Sequence, residues 1–177
     1  SLSNTKKIDI NAWVYESGLP ANSPIIRSER FNLVDEEVDS WVKGAEAKTL
    51  NTKEWTTHEW LYFLRQLPIE MSNEHLNELD NAYGFSNSSN SEIIAAWFIH
   101  VIHNGYTQVY DKLEHFLITV GRRKFLAPLY KEMARTKANK LAALNIYKKA
   151  RPNYHTISAV TIDGILDWNE RDYLSHD

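Results

Sequence analysis

The sequence has no cysteine among its 177 residues. This absence excludes a disulfide framework, a thiolate metal site and a cysteine nucleophile, and it favours a reducing compartment such as the cytoplasm. No apolar run approaches the ~18 residues of a membrane span, and no signal peptide opens the chain. The first residue is Ser rather than Met, so we expect a fragment or a processed product of a longer protein.

The composition is that of an ordinary globular protein, with 43% hydrophobic and 24% charged residues. The net charge of −3 conceals an uneven distribution. Residues 112–151 carry 11 lysines and arginines against 2 acidic residues, whereas residues 1–111 carry 8 against 16. Such an asymmetry predicts a site or a partner for anions on the 112–151 segment.

From Val34 onward, apolar residues recur at helical spacing. The clearest segment follows Ser89 and Glu92, a possible capping box, and has its apolar residues at i, i+3, i+4, i+7 and i+8: Ile94, Trp97, Phe98, Val101 and Ile102. Further helix boundaries are predicted at a second capping box and at single caps and stops: Thr56 with Glu59, Ser72, Gly84 and Gly105. We therefore predict an all-α fold. Its short helices would stack as an irregular α-α superhelix, like HEAT and armadillo proteins, although the sequence has no repeat period.

The beginning of the chain differs from the rest. Residues 1–31 have weak periodicity and contain Gly18, Pro20 and Pro24, which interrupt regular structure. We interpret this segment as an extended connector in which Trp13 and Tyr15 are aromatic anchors. The sequence therefore predicts two parts, a connector over 1–31 and an α-helical domain over 32–177.

The stretch GRRKF at residues 121–125 places three cations behind a glycine. Gly121 suits the left-handed C′ position that ends a helix. The apolar residues that follow predict a second helix, in which Pro128 is tolerated only in the first turn. The cations would then lie near a helix N-terminus, where free N–H groups favour an anion. At an extended junction, Arg122 and Lys124 share a face and can hold one carboxylate. A solvated charged corner is the alternative.

The histidines offer no convincing catalytic group or metal site. His58 and Glu59 begin like the HExxH signature of zinc proteases, but residue 62 is Tyr, so the second histidine ligand is missing. His100 and His103 are spaced i, i+3 without a carboxylate or third histidine nearby in sequence, so we assign them a structural role. No phosphate loop or nucleophile elbow is present. The sequence therefore predicts a binding or scaffolding module without a catalytic residue or a metal.

The basic segment can also be interpreted as a nucleic-acid surface, because its cations recur at helical positions that face solvent. The rest of the chain is acidic, and the sequence pI is about 6.2, which makes nucleic acid a weaker candidate. The alternative function is a stand-alone helical scaffold that binds an acidic protein or nucleic acid through residues 112–151.

Several motifs occur in an order and spacing that carry a family resemblance. The most specific is GRRKF at 121–125 with PLYK at 128–131, and the others are NAWVY at 11–15 with GLP at 18–20, NSEI at 90–93 with Trp97, and His155 with Ser158 and Ala159. Together they resemble the C-terminal helical domain of leukotriene A-4 hydrolase and its relatives, the gluzincin zinc aminopeptidases, over most of the chain. One departure is Thr156, where the family usually has Pro.

The resemblance implies an α-helical superhelix that closes the substrate cleft against a catalytic zinc domain. It also implies that Arg122 and Lys124 bind the free C-terminal carboxylate of short peptides. Arg123 has no implied role and is expected to face solvent or an acidic neighbour. Zinc and the acid–base groups are expected in a catalytic domain that precedes Ser1 in the same polypeptide, so this chain would hold no cofactor. The implied activity is that of a peptidase.

Overall fold

The computed structural model describes residues 24–173, and these residues form helices and turns without any strand. The predicted all-α class is therefore confirmed. The chain divides into two compact units, one that ends at Leu67 and one that begins at Pro68.

The first unit has two α-helices, α1 (Pro24–Val42) and α2 (Thr57–Gln66), with a short 3-10 helix at Ala47–Thr49 between them. Since α1 begins at Pro24, the expectation of extended chain is wrong for residues 24–31. The first turns of α1 contribute Phe31, whose ring stacks on Tyr62 of α2 with centroids 4.4 Å apart. Residues 1–23, with Trp13 and Tyr15, lie outside the described residues, and the domain boundary at residue 31 stays a prediction.

Glu59 has a structural role at the start of α2. Its Oε2 accepts a hydrogen bond from the Thr56 backbone N–H at 3.1 Å and another from the Thr56 hydroxyl, so Thr56 and Glu59 pair as the capping motif predicts. The carboxylate is buried, and its Oε1 lies 2.7 Å from Arg30 Nε. A buried carboxylate needs such partners because desolvation penalises its charge. These contacts explain the glutamate of the incomplete HExxH pattern.

The second unit contains the remaining helices. They are α3 (Asn73–Tyr83), α4 (Ser91–His103), α5 (Tyr110–Thr119), α6 (Arg123–Met133), α7 (Lys137–Ala150), α8 (Thr156–Leu166) and the short α9 (Glu170–Tyr173), with 3-10 turns at Phe85–Asn87, Thr107–Val109 and Arg151–Asn153.

Alternate helices of this unit pack together. α4 packs against α6 and α6 against α8, while α5 packs against α7. This is the stacking of helix pairs that the sequence predicts, because each helix is followed by one in the other layer. Buried aromatic rings fill the space between the layers, and Tyr130 of α6 meets Tyr147 of α7 edge to face at 5.6 Å. The packed helices α6 and α8 both border the candidate site.

Helix α3 begins and ends as the sequence predicts, whereas the start of α4 differs from the prediction. Ser72 caps α3 by accepting a hydrogen bond from the His75 N–H at 3.1 Å, and Gly84 ends α3 at a left-handed φ of 65°. The predicted capping box of Ser89 with Glu92 is wrong. Asn90 caps α4 instead, and its side-chain oxygen accepts from the Glu92 and Ile93 N–H groups. Asn is as good an N-cap as Ser, and its use here leaves the Glu92 carboxylate available for another partner.

Candidate anion-binding site

The predicted extended junction is present only in part, because Val120 and Arg122 are extended whereas Lys124 lies in the first turn of α6. Val120 ends α5 with φ −96° and ψ 119°, and Arg122 precedes α6 with φ −77° and ψ 117°. The left-handed conformation predicted for Gly121 is wrong, because the described glycines with positive φ are Gly44, Gly84 and Gly105. Val120 itself leaves the helix in the extended region, so the chain needs no left-handed residue to stop α5.

Pro128 lies further into α6 than predicted. The helix begins at Arg123, and Pro128 is its sixth residue, beyond the first turn. The early start is explained by Arg122, whose carbonyl accepts from the Phe125 and Leu126 N–H groups at 3.0 and 3.2 Å. Since proline lacks an N–H, the Lys124 carbonyl loses the intrahelical hydrogen bond that residue 128 would otherwise donate.

Both cations proposed from the sequence approach one aromatic ring. The Arg122 guanidinium carbon lies 5.5 Å and Lys124 Nζ 5.0 Å from the centroid of Phe125. Phe125 is buried and meets Phe116 of α5 edge to face at 6.4 Å, so the ring is fixed in the core. A cation over an aromatic face gains about 0.5–1 kcal/mol at an exposed site. The ring therefore holds the two cations at the start of α6.

Lys124 already has a carboxylate partner. Its Nζ lies 2.6 Å from Glu92 Oε1, and the two side chains are 52% and 42% exposed. An ion pair this exposed contributes at most about 1 kcal/mol, so a ligand carboxylate can compete for the ammonium group. The sequence does not reveal this pair, because Glu92 is 32 residues away and its spacing from Ser89 indicates a capping box.

A groove of about 830 Å³ opens beside these cations, between α6 and α8. It is lined by residues that precede the two helices or lie along them: Gly121, Arg122, Arg123, Lys124, Ala127, Pro128, Lys131, His155, Ser158 and Thr161. Four of these residues are cationic and none is a carboxylate. Within residues 24–173, Arg122, Arg123 and Lys131 form no ion pair. Arg123 is exposed, as expected, and it lines the groove without an ion-pair partner in the described part of the chain.

Two helix N-termini meet at this groove. α6 begins at Arg123 and α8 at Thr156, and Ser158 Oγ donates to the Gly121 carbonyl at 3.2 Å, which ties the two starts together. Each N-terminus has backbone N–H groups without intrahelical acceptors and the positive end of a helix dipole. With the cations around it, the groove is an electropositive site suited to a carboxylate or a similar small anion.

A buried tyrosine fixes the approach to α8. The Tyr154 hydroxyl is hydrogen-bonded to the Leu117 carbonyl of α5 and lies 3.0 Å from the Tyr130 hydroxyl of α6. Burial raises the pKa of Tyr154 to about 12, so the phenol stays neutral. Its contacts hold His155, the next residue, beside the starts of α6 and α8. Tyr154 is a supporting residue that the sequence pattern did not single out.

Much of the remaining positive charge of residues 112–151 is neutralised within the same unit. The ion pairs are Lys149 with Glu114, Arg135 with Glu132, Lys140 with Asp167, and Arg151 with Asp163. In the last pair, the guanidinium donates one hydrogen bond of 2.9 Å to each carboxylate oxygen. The segment is therefore less able to act as one continuous polyanion-binding surface than its sequence indicates.

The two histidines of α4 are placed differently. His100 is buried, whereas His103 lies between two carboxylates, with Nε2 2.8 Å from Glu70 Oε1 and Nδ1 2.9 Å from Glu132 Oε1. Hydrogen bonding to Glu70 and then to Glu132 raises the pKa of His103. Both carboxylates are about 30 residues distant, which is why the sequence did not reveal them. Across residues 24–173, no group of three or more histidine or acidic side chains is arranged to hold a metal ion.

The family model described as "Leukotriene A4 hydrolase, C-terminal" matches residues 55–166. This range includes both helices of the groove and makes up more than half of the chain. The chain belongs to this family. The resemblance inferred from the GRRKF stretch and its companions is confirmed.

The relatives of this domain include fungal enzymes. The chain is 26% identical over 165 residues to leucine aminopeptidase 2-1 of Meyerozyma guilliermondii and 26% identical over 168 residues to leucine aminopeptidase 2 of Aspergillus oryzae. These matches cover 85% and 89% of the chain but 26% of each relative. The chain thus spans about a quarter of the length of these relatives.

A solved structure supports the fold. The native yeast LTA4 hydrolase matches 90% of this chain with a TM-score of 0.65 at 20% identity, over 29% of its own length. Within the described range, no helix combines the length and the apolar character that crossing a membrane requires.

Proposed function

We propose that this chain is the C-terminal domain of a zinc aminopeptidase, that it closes the substrate cleft, and that Arg122 and Lys124 bind the C-terminal carboxylate of short peptides. The observation that carries the proposal is the groove at the start of α6 and α8, which has four cationic residues and no acidic one in its lining. A free carboxylate is the anion that every unmodified peptide carries.

In this proposal the chain supplies orientation, and the chemistry takes place elsewhere in the polypeptide. Zinc and the acid–base groups belong to a catalytic domain of the same protein, and the fungal relatives are named as leucine aminopeptidases. Fixing the far end of a short peptide places its N-terminal bond against the catalytic groups, and such positioning can supply several kcal/mol of barrier lowering. We propose a cytoplasmic location for the whole enzyme.

Each residue has a distinct part in carboxylate binding. The Arg122 guanidinium has no ion-pair partner within residues 24–173 and can donate two parallel hydrogen bonds to one carboxylate. Lys124 supplies a mobile charge that is shared between Glu92 and the ligand. The free N–H groups at the start of α6 add to the positive potential. Arg122 is extended before the helix, Lys124 lies in its first turn, and both approach the Phe125 ring, which supports a joint role for these donors.

The test compares peptides with and without the carboxylate in the complete polypeptide. Arg122→Ala is expected to lower kcat/KM for a free-acid tripeptide roughly 10- to 100-fold, because a charge-assisted hydrogen bond to the substrate is lost. The same tripeptide with an amidated C-terminus should be hydrolysed slowly and should be little affected by the substitution. Lys148→Ala, an exposed lysine of α7 outside the groove, is the matched control and should change neither rate. Equal losses on both peptides would contradict the carboxylate role of Arg122.

A further inference from the structure

The groove is longer than one carboxylate requires. On α6, the lining residues Lys124, Ala127, Pro128 and Lys131 stand at i, i+3, i+4 and i+7 and therefore share one side of the helix. With a rise of 1.5 Å per residue, the two lysines are attached about 10 Å apart along the helix axis. A carboxylate held by Arg122 and Lys124 fills the end near the helix starts. The end at Lys131 is left open.

Lys131 is a cation without a counterion in the described part of the chain. It is exposed and forms no ion pair within residues 24–173, unlike Lys140 and Lys149, which pair with Asp167 and Glu114. The groove between Lys124 and Lys131 is floored by Ala127 and Pro128, neither of which has a polar side chain.

The hydroxyl that α8 contributes to the groove through Thr161 is already engaged. Thr161 lines the groove, but its hydroxyl donates to the Ile157 carbonyl at 2.9 Å. Thr161 therefore cannot donate the same proton to a ligand. The lysine ammonium, with three donors, is the donor that a second anionic group would find at this end.

We infer that Lys131 forms a second anion subsite that selects peptides with glutamate as the C-terminal residue. The inference rests on the proposed function, because the main-chain carboxylate must be held by Arg122 and Lys124. The methylene groups of the glutamate side chain then lie over Ala127 and Pro128, and its carboxylate reaches Lys131. The two carboxylates of a C-terminal glutamate are separated by roughly 5 Å, and the lysine side chains span the rest of the distance.

The inference is tested by measuring binding of acetylated tripeptides to the complete polypeptide. Acetylation removes the free N-terminus that an aminopeptidase needs, so binding is measured without turnover. Ac-Ala-Ala-Glu and its isostere Ac-Ala-Ala-Gln are compared, each as the free acid and as the C-terminal amide. The proteins are the wild type, Lys131→Met and the control Lys148→Met. Met retains much of the aliphatic length of lysine, and circular dichroism checks that both variants fold.

The wild type is expected to bind the glutamate free acid about fivefold more tightly than the glutamine free acid. This affinity ratio corresponds to the upper value for the contribution of an exposed ion pair. Lys131→Met should abolish this ratio and leave the glutamine peptide within about twofold. Lys148→Met should keep the ratio, and added salt should reduce it. Equal affinities for the two peptides in the wild type, or an undiminished ratio in Lys131→Met, would overturn the inference.

The amidated peptides separate this outcome from the proposed function. If the free acids bind better than the amides but glutamate is not preferred, Arg122 and Lys124 still bind a carboxylate and the second subsite is refuted. If amidation makes no difference, the carboxylate role of Arg122 and Lys124 fails, and with it the pose from which Lys131 was inferred.

Discussion

Lys124 Nζ lies 2.6 Å from Glu92 Oε1, an exposed ion pair that joins the start of α6 to the start of α4. The pair has two consequences for the proposed carboxylate site. It directs the lysine side chain, and it places a competing carboxylate beside the ligand. Because the pair is exposed and screened by salt, the second effect should be the larger one for a charged ligand.

Replacing Glu92 with Gln should therefore tighten peptide binding. Glu92→Gln removes one negative charge next to Lys124 and keeps the size of the side chain. We expect KM for a free-acid tripeptide to fall about two- to fivefold at low salt, as expected for an exposed ion pair, while KM for the amidated peptide is unchanged. Steady-state kinetics of the complete polypeptide at two salt concentrations measure both effects. A higher KM for the free acid would show instead that Glu92 is needed to position Lys124.

Two of the glycines that follow helices in the second unit, Gly105 and Gly121, should respond differently to substitution. Gly105 follows α4 at φ 62°, whereas Gly121 has no positive φ, and a Cβ added there meets no atom within 4 Å. A left-handed conformation costs a residue with a side chain about 1–2 kcal/mol. Gly105→Ala should therefore lower the free energy of unfolding by about 1 kcal/mol, and Gly121→Ala should change it by less than about 0.5 kcal/mol.

Denaturant unfolding of the two alanine variants, followed by circular dichroism, measures this difference. A loss of stability in Gly121→Ala as large as that in Gly105→Ala would mean that residue 121 needs the freedom of glycine after all. The comparison also tests why α5 ends, since the extended conformation of Val120 makes a left-handed glycine unnecessary.

Stability should depend on the protonation of His103. Its ring nitrogens face Glu70 and Glu132, and the Arg135 guanidinium lies 3.1 Å from Nδ1 and 2.9 Å from Glu132 Oε1. The two carboxylates outweigh the arginine, and the pKa of His103 is raised above its ordinary value of 6.5. A group whose pKa is higher in the folded state stabilises the fold below its unfolded pKa. That contribution is lost as pH rises through the folded pKa.

The free energy of unfolding should accordingly decline between about pH 6.5 and the higher pKa of folded His103. His103→Gln should flatten this decline, and Glu70→Gln should reduce it by removing the stronger hydrogen-bond partner. Urea unfolding at a series of pH values from 5 to 9 gives the three profiles. Parallel profiles for the wild type and His103→Gln would show that the histidine is not the group responsible.

The sequence predicted the position of the candidate cations in part, because its signals there are local. The GRRKF stretch predicts cations near the start of a helix, and Arg122 and Lys124 lie at the start of α6 in the structure. The sequence failed on Gly121 and Pro128 for a related reason. The apolar stripe indicates which residues of α6 are buried, but it does not show that the helix begins at Arg123, three residues before Leu126.

The groove itself could not be predicted from the pattern of residues. It depends on the packing of α6 against α8, which brings Ser158 next to Gly121 although 37 residues separate them in sequence. The ion pair of Lys124 with Glu92 is equally non-local. Hydrophobic periodicity fixes which side of a helix is buried, but it does not specify which other helix covers that side. The absence of acids along the groove follows from this packing.

The most direct test is a crystal structure of the complete polypeptide with bound Ac-Ala-Ala-Glu. Our account predicts that the main-chain carboxylate lies within hydrogen-bonding distance of the Arg122 guanidinium and Lys124 Nζ, at the joined starts of α6 and α8. A peptide bound with its carboxylate away from this groove, or with its N-terminus toward Arg122, would contradict the account.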